Sequence, residues 1–397
     1  MKYIQLKDVC DLKNGYAFKS QDYVEKSNTL NCRMSNIRPG AIFDINYSPK
    51  YLPDEFAEKY NEFLLYDGDI VIAMTDLAGD PKILGVPAEV STYGQNVLLN
   101  QRVGKLIIKN KKEIYYEYLK YALSNPKNKE YYKKFAGGGL QLNISKDDLL
   151  KIKIPIYEYE MQKEIANKFN KISEVIKIRK EQIENLEQLV KSQFVEMFKC
   201  KNYEKKRIGD FGKFQGGYAF KSKDFSENGI KLVQISNVNK DNLDWNEINR
   251  LPEEYIEKYK DYALNVGDVV MAMTRPIIKS LNEVKIAYVS ENDVPCLLNQ
   301  RVGRFLIDEN KISKSYLTYC CKMDDFKNYV EKMSGNSLQP NISSKQVEDY
   351  TIEIPPIEEQ NKFAEFVKLI DKQKFVIVEI IMFYDIILRS ILNNIMG

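Results

Sequence analysis

The sequence contains no histidine among its 397 residues. Histidine is the commonest general base and metal ligand, so its absence excludes Ser-His-Asp and Cys-His catalysis within this chain. The chain also lacks a Gly-x-x-x-x-Gly-Lys-Ser/Thr loop for binding nucleotide phosphates. Catalysis by carboxylates or lysines stays open, but the absences favour a protein that binds over one that catalyses.

Cysteine pairs and membrane segments are missing as well. The six cysteines form no Cys-x-x-Cys pair, which favours reduced thiols and a cytoplasmic location. Residues 1–5 lack a secretory signal core. The most apolar stretch, residues 375–392, is interrupted by charged residues at 379, 385 and 389. It is therefore predicted to form a buried helix and no membrane span. The net charge of +3 neither demands nor excludes nucleic acid.

The chain is duplicated. Gly15–Ser20 returns as Gly217–Ser222, and Leu98–Gly104 returns unchanged as Leu297–Gly303. The Gly-Asp-Ile-Val sequence at Gly68 also has a second copy. The period is far longer than the roughly 20–50 residues of a solenoid repeat, so it indicates two copies of one domain. Two similar surfaces suit a duplicated target, such as two half-sites on a DNA duplex.

Two long segments, residues 161–198 and 359–396, contain neither proline nor glycine. Apolar residues recur in each segment at intervals of seven, which predicts two long helices that form a coiled coil. Arg179 and Lys374 interrupt the apolar rows. They either extend along the edge of the coiled coil or fix its register.

The predicted fold is mixed α+β, with two homologous β-rich globular domains joined by two long helices. Because the helices alternate with the globules, we expect an antiparallel coiled coil with a pseudo-two-fold axis. The predicted boundaries are 1–155 for the first globular domain, 156–200 for the first helix, 201–355 for the second globular domain and 356–397 for the second helix.

This order of motifs, repeated twice, resembles the specificity subunit of type I restriction–modification enzymes. The most specific element is Ile354–Gln360, which leads directly into a long helix. Its first-copy counterpart, Ile154–Gln162, departs from the pattern because it lacks the second proline and has two more residues before the glutamine. This departure weakens any exact register between the two helices.

The resemblance implies two target recognition domains that each read half of a split double-stranded DNA sequence. It implies that the helices separate these domains and dock two methyltransferase subunits, and it allows a translocase–nuclease subunit as a further partner. S-adenosylmethionine is then expected in the methyltransferase, with no cofactor or metal in this chain. The chain accordingly lacks the Asn/Asp-Pro-Pro-aromatic motif of adenine methyltransferases.

Candidate DNA-contacting residues that recur in both copies must be scaffold, phosphate contacts or shared base contacts. For these residues, a solvated surface or the capping of a turn is an equally good interpretation. The recurring candidates are Lys19, Ser20, Gln101, Arg102 and Gln141, with Lys221, Ser222, Gln300, Arg301 and Gln339 in the second copy.

Further candidates lie in or next to polar segments whose sequence changes between the copies, although Asn36 and Thr75 themselves recur as Asn237 and Thr274. Arginine pairs well with guanine, and asparagine or glutamine with adenine, in the major groove. Loop placement also favours a functional role. These candidates are Arg33, Asn36, Arg38, Thr75 and Lys82, with Gln234, Asn237, Asn239, Lys240, Thr274, Arg275 and Lys279 in the second copy.

The similarity of the copies predicts two half-sites that share base identities. Two other interpretations stay open at this point. One is a structural adaptor whose duplicated globules bind protein. The other is a detached recognition half of a fused restriction–methylation enzyme.

We expect the isolated chain to bind duplex DNA weakly, because its net charge is only +3. Tight binding should appear once the methyltransferase subunits are present. Fluorescence anisotropy of a labelled duplex over a series of salt concentrations measures both states. A DNA-binding protein gives a steep salt dependence and an adaptor gives none. Nanomolar binding by the isolated chain would contradict this expectation.

Overall fold

The computed structural model describes residues 2–39, 41–77, 82–124, 126–134, 141–199, 201–279, 281–334 and 340–396. The chain divides into two compact units, one formed by residues 1–180 with 378–397 and one formed by residues 181–377. Each unit therefore combines one globule with a segment of each long helix. The predicted boundaries, which separate the globules from the helices, stay a prediction.

The first unit is built mainly from short strands, followed by a long helix that continues into the second unit. Its strands are β1 Lys2–Gln5, β2 Cys10–Asn14, β3 Thr29–Cys32, β4 Ile37–Arg38, β5 Ile42–Phe43, β6 Tyr51–Leu52, β7 Leu64–Leu65, β8 Ile70–Ala73, β9 Thr75–Leu77, β10 Pro87–Glu89, β11 Asn96–Leu99, β12 Val103–Ile108, β13 Gln141–Asn143 and β14 Lys153–Ile156. Its helices are α1 Leu6–Val9, α2 Glu55–Lys59, α3 Tyr116–Leu123, α4 Pro126–Lys133, α5 Lys146–Leu150 and α6 Tyr159–Phe194.

The second unit repeats this order. Its strands are β15 Lys205–Arg207, β16 Gly212–Gly216, β17 Ile230–Val233, β18 Arg250–Leu251, β19 Val269–Ala272, β20 Ile277–Ile278, β21 Glu283–Val284, β22 Ile286–Tyr288, β23 Cys296–Leu298, β24 Val302–Ile307 and β25 Thr351–Glu353. Its helices are α7 Tyr255–Lys258, α8 Lys314–Lys322, α9 Asp324–Ser334, α10 Ser344–Asp349 and α11 Ile357–Met396, and α11 ends in the first unit.

The four-stranded central sheets of the two units match strand for strand. The first unit has the order β10-β8-β12-β2, and the second has the equivalent order β22-β19-β24-β16. A second sheet in each unit contains a parallel pair, β3 with β11 and β17 with β23. These strands consist of apolar, often β-branched residues and lie in the interior. For example, β8 and β19 are buried along their whole length. The prediction of a duplicated, mixed α+β fold is confirmed.

A buried glutamine fixes the start of each long helix. Gln162 is fully buried, accepts a hydrogen bond from the Tyr115 N–H and donates to the carbonyls of Glu113 and Tyr157. Gln360 is also fully buried, accepts from the Ser313 N–H and donates to the Pro355 carbonyl. The two extra residues before Gln162 therefore leave this contact intact.

Within each unit the two long helices pack in the predicted antiparallel order. In the first unit, the beginning of α6 and the end of α11 share one apolar core, and the Tyr157 hydroxyl donates to the Ile395 carbonyl over 2.6 Å. In the second unit, the end of α6 meets the beginning of α11, with the rings of Phe194 and Phe363 5.4 Å apart. Lys374 forms an ion pair with Glu187 of α6 over 3.3 Å, which supports a role in setting the register.

The prediction that residues 375–392 form a buried helix is wrong for one face of α11. In the first unit, Leu388 and Leu392 pack against the core, whereas Met382, Phe383 and Ile386 are 59%, 60% and 63% exposed. The apolar face of this part of α11 is therefore wider than the strip that the unit's own core covers. Within the described residues, no helix combines the length and the apolar content needed to cross a membrane.

Replacing Gln360 with alanine should lower the free energy of unfolding of the second unit by about 1–3 kcal/mol, because a buried N–H and a buried carbonyl lose their partner. The only tryptophan, Trp245, lies in this unit, so its fluorescence during urea denaturation reports the change. Gln188→Ala, at an exposed position of α6, serves as the control. Equal stability of the two variants would contradict the assigned role.

Candidate nucleic-acid interface

Two of the duplicated motifs are hydrogen-bonded to each other. In the first unit, the Tyr16 N–H donates to the Leu99 carbonyl over 2.9 Å, and the Gln101 N–H donates to the Tyr16 carbonyl over 3.0 Å. A Cβ atom on Gly15 would lie 2.2 Å from the Leu99 oxygen, so only glycine permits this approach. The segment Gly15–Ser20 is thereby held against the Asn-Gln-Arg turn.

The second unit has the same contact. The Tyr218 N–H donates to the Leu298 carbonyl over 3.0 Å, and the Gln300 N–H donates to the Tyr218 carbonyl over 2.9 Å. A Cβ atom on Gly217 would lie 2.3 Å from the Asn299 oxygen. The repetition of both motifs therefore has a structural cause, since each needs the other.

Aromatic rings anchor the same segments. The ring centroids of Tyr16 and Tyr60 are 4.5 Å apart, and those of Tyr218 and Tyr259 are 4.6 Å apart. Tyr60 and Tyr259 belong to the repeated Glu-Lys-Tyr sequence. This third motif is therefore part of the same support, and its role is packing.

The repeated Asn-Ile-Ser turns, at Asn143–Ser145 and Asn341–Ser343, join the site through a threonine. The Thr75 hydroxyl donates to Asn143 Oδ1 over 2.7 Å, and Thr274 makes the same contact with Asn341. Ser145 then caps α5 by accepting a hydrogen bond from the Asp148 N–H. Three segments that are distant in the sequence thus meet at one end of the four-stranded sheet.

Each unit has a cleft at this meeting point. The cleft of the first unit has a volume of about 410 Å³, and that of the second about 620 Å³. The predicted residues that line them are Thr75, Gln101 and Arg102 in the first, and Ser222, Gln234, Thr274, Arg275, Gln300 and Arg301 in the second. Both glutamine–arginine pairs are exposed and so can approach a ligand.

Other predicted residues are exposed without lining the described part of either cleft. These are Lys19, Ser20, Lys82, Lys221 and Lys279. The backbone of Gln141 belongs to β13, whereas its side chain and the whole of Gln339 lie outside the described residues. DNA contact by these residues stays a prediction.

Two predicted asparagines have a structural role. Asn36 is 1% exposed, and its amide donates to the carbonyls of Asp44, Ile45 and Tyr47. Asn237 is equally buried and donates to the carbonyls of Asp244 and Glu247. The amides hold the following loop and are not available to a base, which corrects the prediction for both residues.

The remaining predicted side chains take part in their own loops. Arg33 donates to the Ser48 carbonyl over 2.6 Å, and the Arg38 guanidinium lies 3.6 Å from the ring centre of Tyr47. Gln234 accepts a hydrogen bond from the Asn249 amide, and the Asn239 Oδ1 accepts one from the Lys240 N–H. Base contact by these four residues stays a prediction. For Arg33 and Arg38, the side chain would first have to leave its present contact.

Lys240 is directed towards the long helices. Its ammonium lies 2.7 Å from Glu187 of α6, and Glu187 also pairs with Lys374 of α11. Burial raises the pKa of the Glu187 carboxyl, but the hydrogen bond from Lys240 and the charge of Lys374 outweigh burial and hold the pKa below its usual value. The prediction that Lys240 contacts DNA is therefore corrected: it joins the second globule to the helices.

Several cleft residues were missed in the sequence. Lys146 and Asn143 line the first cleft, and Phe225, Ser236 and Lys285 line the second. Lys285 interrupts an apolar strand sequence, Val284–Val289. The first copy has Val86 at the equivalent position, so a comparison of the two copies would have revealed Lys285 as a candidate.

Glu187→Gln should reduce the stability of the second unit by about 1 kcal/mol at pH 7, because two lysines lose a shared carboxylate. The folded-state pKa of Glu187 is depressed, so this contribution is present above the unfolded value of 4.5 and disappears as the pH falls through the folded value. Trp245 fluorescence in urea at pH 7 and at about pH 3.5 measures the difference. Glu184→Gln, exposed on the same helix, should be neutral, and a pH-independent effect at position 187 would contradict the argument.

Comparisons with known proteins identify what the chain is similar to. The family described as "Type I restriction modification DNA specificity domain" matches residues 1–188 and 200–379. The type I restriction enzyme MjaVIII specificity subunit of Methanocaldococcus jannaschii is 31% identical over 349 residues, which cover 82% of this chain and 78% of the relative. The EcoAI specificity subunit of Escherichia coli is 33% identical over 175 residues, covering 43% of this chain and 29% of that subunit.

Solved structures share the fold. The S subunit of a type I restriction–modification system from M. genitalium aligns over 100% of this chain and 96% of its own, with a TM-score of 0.55 and 15% identity. A chain from a structural study of the assembly and conformational transition of the type I R-M system aligns over 99% and 97%, with a TM-score of 0.51 and 16% identity.

Proposed function

We propose that this chain, which belongs to the family of type I restriction–modification DNA specificity domains, reads one half of a two-part target with each unit, through that unit's own cleft. The chain is the non-catalytic recognition subunit of a restriction–modification complex, and its partner subunits carry the catalysis. The interpretation as a general protein-binding adaptor is therefore set aside.

The observation that carries the proposal is the paired construction of the clefts. Each unit presents an exposed glutamine–arginine pair on a turn that a glycine contact and an aromatic pair hold in place. Arginine and glutamine are the side chains that pair with guanine and adenine edges through two hydrogen bonds. A fixed turn that carries them has the chemistry needed for reading bases.

The proposed partners are two methyltransferase subunits, and the exposed face of α11 is their proposed docking surface. In the first unit this face carries Met382, Phe383 and Ile386, and in the second it carries Leu369, Phe375 and Val376, which are all more than half exposed. Apolar side chains exposed along one helix face mark a protein interaction site. A translocase–nuclease subunit is a further proposed partner.

The proposed cofactor, S-adenosylmethionine, is assigned to the methyltransferase, because no motif for it stands in this sequence. Within the described residues no group of acidic or cysteine side chains is arranged to hold a metal ion. The described cysteines, Cys10, Cys32, Cys296, Cys320 and Cys321, are free and buried. Free thiols are consistent with the proposed cytoplasmic location.

Co-expression with the partner methyltransferase, followed by sequencing of methylated adenines across the host genome, tests the function. We expect one recurrent motif made of two specified blocks separated by unspecified bases. The same cells without the specificity subunit give the background. A single uninterrupted motif, or methylation without sequence preference, would refute the proposal.

The docking surface has its own test. The double variant Phe383→Ser, Ile386→Ser should reduce the amount of methyltransferase that co-purifies with the chain by at least about tenfold, since the buried area would lose two large apolar groups. Because both side chains are exposed, the chain itself should stay folded, as judged by circular dichroism. Asn394→Ser, also exposed on α11, is the control. Unchanged co-purification of the double variant would rule out this surface.

A further inference from the structure

The register of the strands identifies two matched positions at which the clefts differ in charge. Ile72 pairs with Pro87 in the first unit, and Met271 pairs with Ile286 in the second. Val86 and Lys285 therefore occupy the same place. Thr75 and Thr274 make the same contact with an asparagine, so the residues that follow them, Asp76 and Arg275, also correspond.

The first unit has no cation at either position. Asp76 is 5% exposed, and its carboxylate accepts hydrogen bonds from the N–H groups of Ile83 and Leu84 over 2.6 and 2.9 Å. Val86 packs against the apolar core of the unit. Both residues therefore serve the fold of the first unit.

The second unit places two cations in its cleft. Arg275 is exposed and has a left-handed backbone with φ of +48°, and its N–H donates to the Pro340 carbonyl over 2.8 Å. Such a backbone is costly for arginine and persists only where the surrounding structure enforces it. Lys285 is half-buried and lies 3.5 Å from the Ile235 carbonyl.

The two cations line the same cleft. Burial lowers the pKa of the Lys285 ammonium, and the charge of Arg275 lowers it further. Among the described residues, neither cation has a carboxylate within ion-pair distance. A cleft with this pair of positive charges is complementary to a ligand that presents hydrogen-bond acceptors.

We propose that Arg275 and Lys285 read a guanine in the half-site bound by the second unit, and that the matched residues of the first unit, Asp76 and Val86, do not supply an equivalent reader. The inference rests on the proposed function and names the base class for one cleft. Guanine presents two acceptors, O6 and N7, in the major groove. The target is then asymmetric, in contrast to the shared half-sites that the similarity of the two copies predicts.

A base contact fits the position of the pair better than a phosphate contact. Both cations line the cleft beside Gln300, and Lys285 is partly withdrawn from solvent. Arg275 is exposed, as Lys221 is, so the preference for a base contact comes from the half-buried Lys285 in the same cleft. Phosphate contact is therefore the alternative outcome that the experiment must separate.

The test uses the full chain in complex with its methyltransferase subunits and a library of duplexes in which every base of the selected motif is varied in turn. Arg275→Asn keeps a residue that tolerates the left-handed backbone, and Lys285→Met keeps the length of the side chain. We expect each variant to reduce the preference for guanine at one position by at least about tenfold and to leave the other half-site unchanged. Lys311→Met, exposed beyond the far end of β24, should change nothing.

Three results would overturn the inference. One is a wild-type motif without guanine in the affected half-site. Another is unchanged base preference in both variants. A third is a uniform loss of affinity with a salt slope smaller by about one per removed charge, which is the signature of phosphate contacts. If the wild-type complex selects no motif at all, the proposed function fails together with the inference. A two-part motif without the guanine effect refutes the inference alone.

Discussion

Both clefts depend on one close contact between backbone segments. At Gly15 and at Gly217 the chain passes so near to the carbonyls of the neighbouring turn that no side chain fits between them. Because the two backbone segments lie this close, paired hydrogen bonds hold each Asn-Gln-Arg turn against the segment that begins at Gly15 or Gly217. Without it, the glutamine and arginine would lie on a free loop, and their positions relative to a base would not be fixed.

The duplicated sequence is mostly support for this contact. The repeated Tyr60 and Tyr259 pack against Tyr16 and Tyr218. The Thr–Asn pair joins the Asn-Ile-Ser turn, and the buried glutamines fix the start of each long helix. On this shared support the cleft walls have diverged. Asp76 closes a loop in one unit, whereas Arg275 enters the cleft in the other. Under the proposed function, such a fold changes the base that it reads while its scaffold stays the same.

The fold was predictable because its signals are periodic or repeated. Heptads free of proline and glycine predict the long helices, and the duplicated motifs predict two equivalent globules. The roles of individual polar residues were less accessible. Asn36 and Asn237 resemble base readers in the sequence, since nothing there shows that their amides bind loop carbonyls. Lys240 joins Glu187 across 53 residues, and Lys285 becomes a cleft residue only when strand register is known.

Single substitutions in the two Asn-Gln-Arg turns show whether each unit reads its own half of a divided target. The complex would carry either Arg102→Gln or Arg301→Gln, and its affinity would be measured on duplexes in which one half-site at a time is scrambled. We expect each variant to become insensitive to changes in one half-site and to keep full discrimination at the other, with the two variants affecting opposite halves. If both substitutions weakened recognition of the same half-site, or of both half-sites equally, the proposal that the two units read independently would be wrong.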